Sequence, residues 1–142
     1  YLPASMSEQK HLFLIDGYGF LFRAYHSLPP LTNPQGTPVG GVYGFITMLM
    51  KLLQKLKSEN DHHHYAAVIL DAGRETFRHK IDANYKANRP PPPEDLIPQF
   101  PLIRDAAEAM NLPAIDLPGY EADDLIATYA KQARAAGYEV TI

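Results

Sequence analysis

The sequence predicts an α/β fold in three layers, a mainly parallel sheet with helices on both faces, and two observations carry that reading. Short apolar runs of strand type alternate along the chain with amphipathic stretches of helical type. Each strand-like run follows or precedes a helix, which is the connection that parallel neighbours and right-handed crossovers require. No internal repeat interrupts the pattern, and 142 residues at 46% hydrophobic composition suffice for one core.

Tyr1 to Ser5 precede a candidate start residue, Met6, and are read as added or unordered residues outside the fold, so that the domain runs over 6–142. The first strand is His11 to Asp16 (HLFLID), an apolar run ending in a carboxylate, followed by Gly17, Tyr18, Gly19 and a helix to about His26. Val42, Phe45, Ile46, Leu49, Leu52, Leu53 and Leu56 recur at three- and four-residue steps and predict a core helix. Tyr65 to Asp71 (YAAVILD) repeats the design of the first strand. A helix from near Glu94 is expected to bury Leu96, Ile97, Phe100, Ile103, Ala107 and Met110, and a third strand falls around Ala114 to Leu117. The last helix runs from about Glu121 to Ala136, with Gly137 as its stop, and Tyr138 to Ile142 begins a fourth strand that reads as buried. A chain ending there is expected to be part of a longer domain whose C-terminal half is missing.

Composition limits the chemistry. With no cysteine there is neither a disulfide nor a thiolate metal site, which accords with a cytoplasmic protein. The uncharged stretch from Ser27 to Met50 is broken by prolines and glycines, and its apolar second half is far shorter than the ~20 residues that span a bilayer. A net charge of -3 argues against coating nucleic acid by bulk electrostatics, so any such contact must come from local charge.

The acidic residues are the candidates for chemistry. Ligands of parallel sheets bind beyond the carboxyl ends of the strands, where Asp16 and Asp71 stand and toward which the third strand leads Glu121, Asp123 and Asp124. Two carboxylates ~4 Å apart repel by about 4 kcal/mol at an effective dielectric near 20, a conflict that a divalent cation removes. Oxygen donors without adjacent histidine or cysteine favour Mg²⁺ or Mn²⁺ over Zn²⁺. On a helical wheel Glu121 and Asp123 flank the apolar stripe and Asp124 lies nearly opposite it, so Asp124 is the weakest ligand candidate. Each of these residues also has an ordinary reading, as helix capping or turn chemistry.

From Arg74 to Arg89 the sequence RETFRHKIDANYKANR sets Arg74, Arg78, Lys80, Lys86 and Arg89 against Glu75 and Asp82, a net charge of +3, with Phe77 and Tyr85 interleaved. That combination suits contact with a phosphate backbone and stacking on bases, although a solvated amphipathic loop would look the same. Pro90 to Pro93 read as a stiff entry to the next helix, closing a basic arm of about 74–93, and His62, His63 and His64 read as a solvated turn.

Three long motifs, FLIDGYGFLFRAY (Phe13 to Tyr25), LDAGRETFRHKIDANYKANRPPPPEDL (Leu70 to Leu96) and LPGYEADDLIATYAKQA (Leu117 to Ala133), follow one another in an order that resembles the N-terminal half of the 5′ nuclease (5′-3′ exonuclease) domain of bacterial DNA polymerase I, in the wider flap endonuclease family. The resemblance covers about His11 to Ile142 and implies a PIN-like fold and a phosphodiester hydrolase of DNA replication and repair, acting on flapped, nicked or 5′-ended DNA. It implies two or more Mg²⁺ or Mn²⁺ ions in the complete domain, a covalently linked polymerase domain, and a nucleoid-associated, cytoplasmic location. Carried over by position, Asp16, Asp71, Glu121, Asp123 and Asp124 match the metal-site acids. Arg23, Arg78, Tyr85, Lys86 and Arg89 match the DNA-facing positions, beside which Arg74 also stands. Lys86, nearest the scissile phosphate, and Arg78 take the catalytic roles. The family continues beyond Ile142 with further aspartates of a second metal site and a helix-hairpin-helix region, so the chain alone is expected to bind one metal and cut poorly or not at all.

Three other readings stay open. One is a catalytically incomplete DNA-binding module, and another a stand-alone PIN-type ribonuclease. The third, a small-nucleotide-binding domain, is disfavoured because DGYGFLF lacks the third glycine of the dinucleotide fingerprint and no P-loop occurs.

Overall fold

The computed structural model describes residues 10–57, 63–73, 78, 81–84, 86 and 92–142. In order these form β1 (Lys10–Asp16), α1 (Gly17–Ser27), α2 (Gly40–Lys57), β2 (His63–Ile69), a 3-10 turn (Ile97–Gln99), α3 (Phe100–Ala109), β3 (Ala114–Ile115), α4 (Ala122–Ala135) and β4 (Glu139–Thr141). The strands lie in the order β3-β2-β1-β4, and every pairing is parallel. Residues 1–5 and most of the expected basic arm lie outside the described residues.

Alternation along the strands divides the core in two. Ile15 and Val68 face one side of the sheet, where Leu21, Val42, Phe45, Leu49, Ile103 and Ala107 of α1, α2 and α3 cover them. Leu14, Ala67 and Ile69 face the other, against Ala122, Leu125 and Ile126 of α4. Successive strand residues point to opposite faces, so two helical layers enclose one sheet. Each large core side chain taken out of water contributes about 1.5–3 kcal/mol. No helix among the described residues is long and apolar enough to cross a membrane.

Several expectations are corrected. β2 begins at His63, two residues before Tyr65, so His63 and His64 are strand residues paired with Lys10 and His11, not a solvated turn; His62 lies outside the described residues. The helix expected from Glu94 starts at Phe100, because Pro98 and Pro101 have no N–H to give an α-helix begun earlier. Ile97 is consequently exposed, whereas Leu96 stays buried. The third strand is two residues long, ending before Asp116. β4 pairs only with β1 among the described residues, and Glu139 and Thr141 are exposed, not buried.

One buried polar side chain supports two elements. α2 opens Gly40-Gly41, with no side chain of its own to receive the first amides. Gln99, 1% exposed, supplies the acceptor: its Oε1 takes the Val42 N–H at 3.0 Å and its Nε2 donates to the Asp95 carbonyl at 2.9 Å. Replacing Gln99 by leucine strands the Val42 amide in the core, a loss of about 1–3 kcal/mol. Urea denaturation is expected to show a lower midpoint for Gln99→Leu at an unchanged slope, and an unaltered midpoint would refute the assignment.

Candidate functional site

Asp16 sits where β1 becomes α1. Its side chain caps the helix, Oδ1 accepting the Gly19 N–H at 3.1 Å. The helix can begin so close to the sheet because residue 17 has no side chain: a Cβ there would stand 2.5 Å from Leu70 Cδ2 and 2.8 Å from Val68 Cγ1. The tight turn therefore fixes Asp16 at the carboxyl end of β1, beside the chain leaving β2.

Asp71 lies two residues past β2, and a long-range contact holds it. Its Oδ1 accepts the Ala122 N–H at 2.7 Å, which ties the end of β2 to the first turn of α4. An anionic group at a helix N-terminus meets unsatisfied amides and the positive end of the dipole. Even so, the Asp71 carboxyl is raised above the ordinary aspartate range, first because it is half-buried and then because Asp16, Glu121 and Asp123 face it with like charge, outweighing the Ala122 amide. These four acids share one electrostatic neighbourhood. Tyr18 belongs to it too, its phenol raised by burial and then by the charge of Asp71.

Glu121 and Asp124 have another relationship. They form a capping box at the start of α4, the Glu121 N–H donating to Asp124 Oδ2 at 3.0 Å. Arg78 forks onto Asp124, with Nη1 to Oδ2 at 2.8 Å and Nη2 to Oδ1 at 2.6 Å, and its Nη1 also reaches Glu121 Oε2 at 2.6 Å. Lys86 donates to the other oxygen, Glu121 Oε1. The guanidinium hydrogen bonds hold the Asp124 carboxyl below the usual carboxylate range.

The five acids are thus distributed: Asp16, Glu121 and Asp123 act electrostatically on Asp71, Asp124 is held by Arg78, and Glu121 belongs to both groups. Among the described residues no group of three or more histidine, cysteine, aspartate or glutamate side chains stands arranged to hold a metal ion. Arm cations pair with two of the five expected acids, Glu121 and Asp124. The donor set itself fits a hard divalent cation, being all oxygen with its charge concentrated on a half-buried carboxyl.

Of the expected nucleic-acid contacts, Arg78 and Lys86 come to the acidic site, whereas Arg23 lies exposed on α1 with its guanidinium 5.5 Å from the centre of the Phe20 ring. Arg74, Tyr85 and Arg89 lie outside the described residues. Sequence reasoning missed two features: Tyr18, whose place two residues after Asp16 was the available signal, and Arg104, which pins β3 and the residue that follows it through the Ala114 carbonyl at 2.9 Å and Asp116 at 2.8 Å.

Comparison with known proteins gives a consistent picture. The family model described as 5′-3′ exonuclease, N-terminal resolvase-like domain matches residues 11–142. DNA polymerase I of Rhizobium leguminosarum is 54% identical over 99% of this chain and 14% of its own length. The 5′-3′ exonuclease of Aquifex aeolicus is 39% identical over 94% of this chain and 44% of its own. The chain therefore spans less than half of the relatives it matches. Among solved structures, the bacteriophage T5 flap endonuclease in a pseudo-enzyme-product complex with DNA and metal ions superposes with a TM-score of 0.57 at 21% identity, covering 92% of this chain and 47% of that one, which establishes the shared fold.

The Arg78 clamp has a pH signature. Because Asp124 is depressed in the folded state, its contribution to stability is present above the ordinary aspartate pKa and is lost as pH falls through the folded value. Asp124→Asn is therefore expected to flatten the acid side of the stability profile as pH falls below the ordinary aspartate pKa of about 4. Chemical denaturation across that range checks it; a slope identical to the parent's would refute it.

Proposed function

The chain belongs to the family of 5′-3′ exonuclease N-terminal, resolvase-like domains, and on that premise we propose that it supplies the first part of a divalent-metal-dependent 5′ nuclease hydrolysing phosphodiesters in flapped, nicked or 5′-ended DNA. Residues 6–142 form the N-terminal portion of one nuclease domain, joined in the full-length protein to a polymerase, as in the relative from Rhizobium leguminosarum. A cytoplasmic, nucleoid-associated location and DNA as the partner follow from that role. The T5 relative in complex with DNA and metal ions supports both partners.

The observation that carries the reading is the concentration of like charge on Asp71, with Arg78 and Lys86 arriving beside it. Asp16, Asp71, Glu121 and Asp123 are the residues that would hold Mg²⁺ or Mn²⁺. When bound, such ions supply Lewis-acid charge to the phosphate and its attacking water, two ions acting together in the complete domain. The chain's own residues do the rest. Lys86 and Arg78 bring positive charge to the scissile phosphate and stabilise the charge that grows in the transition state. Arg23, Arg74, Tyr85 and Arg89 hold the flanking DNA through backbone contact and stacking.

A second reading, a DNA-binding module that does not cut, is favoured by the self-neutralised pairing of Glu121 and Asp124 with Arg78 and Lys86. Salt-dependent binding of a flapped duplex without any Mn²⁺-dependent product would establish it. Against that, Asp71→Asn in the full-length protein keeps an oxygen for the Ala122 amide while removing the central charge. It is expected to fold normally and to lose flap cleavage by about a hundred- to a thousandfold, the scale of losing one electrostatic partner of a transition state; near-parental turnover would contradict the nuclease proposal.

A further inference from the structure

We infer that Tyr25 and Asp95 are positioning residues for the basic arm: their hydrogen bond pins the arm's C-terminal root to α1, a role that rests on the DNA-facing reading of the arm given above.

The arm leaves the sheet after Asp71 and its sequence rejoins the core near Asp95, and each of these two acids is held by a partner far away in the chain. Asp71 takes the Ala122 amide at 2.7 Å. Asp95 takes the Tyr25 hydroxyl, which donates to its Oδ1 at 2.6 Å across 70 residues of sequence. The Tyr25 phenol is raised from its ordinary value, first by that hydrogen bond, as befits a donor to an ionised carboxylate.

Asp95 opens a short, firmly held turn. Its carbonyl accepts from Gln99 Nε2 at 2.9 Å, and Leu96 beside it is wholly buried. The Leu96 and Ile97 amides both reach back to the Pro93 carbonyl, at 3.0 and 3.3 Å. Pro93 is thus bound into the same turn, and from it the sequence runs back through Pro92, Pro91 and Pro90 toward Lys86. A proline fixes its own φ and restricts the residue before it. A run of four therefore has little freedom to absorb a change at its root, and the direction set at Asp95 is passed on to the arm.

The core does not need this bond. The Tyr25 ring packs on the α1, α2 and α3 side of the sheet with or without its hydroxyl, and Leu96 and Gln99 hold the turn by contacts of their own. What the partly buried pair adds is preorganisation. An arm held at both ends has already lost freedom that DNA binding would otherwise cost.

The test uses the full-length protein as Tyr25→Phe, Asp95→Ala, Asp95→Asn and the Tyr25→Phe/Asp95→Ala pair. Trypsin cleavage after Lys80 and Lys86 under native conditions, read by peptide mass spectrometry, follows the opening of the arm. Cleavage is expected to rise about two- to tenfold in Tyr25→Phe and in Asp95→Ala, the scale of one net hydrogen bond, and no further in the double variant. Asp95→Asn keeps an oxygen for the hydroxyl and is expected to restore most of the parent's resistance. In Tyr25→Phe the KM for a flapped duplex is expected to rise by a similar factor while kcat stays at the parent's. Parental cleavage by trypsin in Tyr25→Phe and Asp95→Ala overturns the inference and leaves the nuclease reading intact, and a looser arm with an unchanged KM overturns the positioning role. A parent that neither binds nor cuts the duplex overturns the nuclease reading, and this role with it.

Discussion

A single backbone amide joins the two halves of this site. The Ala122 N–H, at the start of α4, reaches across 51 residues of sequence to Asp71 at the end of β2. The same helix start carries Glu121, Asp123 and Asp124. With that contact they are brought against a half-buried carboxyl that already meets Asp16 from the neighbouring strand. The parallel pairing of β1 and β2, in register from Lys10 with His63 to Asp16 with Ile69, brings both strand ends to the same rim. The packing of Leu125 and Ile126 on the sheet keeps α4 close enough to donate.

That convergence is unfavourable for the fold. Burial and three like charges raise Asp71, so its ionised form is held against electrostatic resistance. The chain offsets part of this locally, through the Ala122 amide and through Arg78 and Lys86 on Glu121 and Asp124. Arrangements that resist folding unless a counter-charge is supplied are common at functional sites. Here the arm supplies counter-charge at Glu121 and Asp124.

Much of the fold was legible because the signals were local. The three-residue and four-residue steps of α2, the apolar runs of β1 and β2, and Gly137 after α4 each follow from periodicity or backbone preference within a few residues. The exceptions have physical causes. His63 and His64 looked polar enough for a loop, yet parallel pairing with β1 extended the strand through them. Pro98 and Pro101 delayed α3 by withholding amides. The acidic residues were legible as candidates, and the helical wheel set Asp124 apart from Glu121 and Asp123, but the wheel could not show where Asp124 turns. Its partner, Arg78, is 46 residues away, and pairings over such separations leave no mark in local sequence. The same holds for Gln99 as an acceptor for α2 and for the Arg104 contact with Asp116.

The fold concentrates negative charge around Asp71, which in the proposed function a divalent cation relieves. Thermal unfolding of the protein under increasing free Mn²⁺ measures this directly, because an ion that binds only the folded state stabilises it by about 2.7 kcal/mol at a hundred times its dissociation constant. The Tm is expected to climb with the logarithm of Mn²⁺ concentration, and the response to be strongly reduced in Asp71→Asn. A Tm that does not change with Mn²⁺, or that changes equally in the parent and in Asp71→Asn, would contradict it.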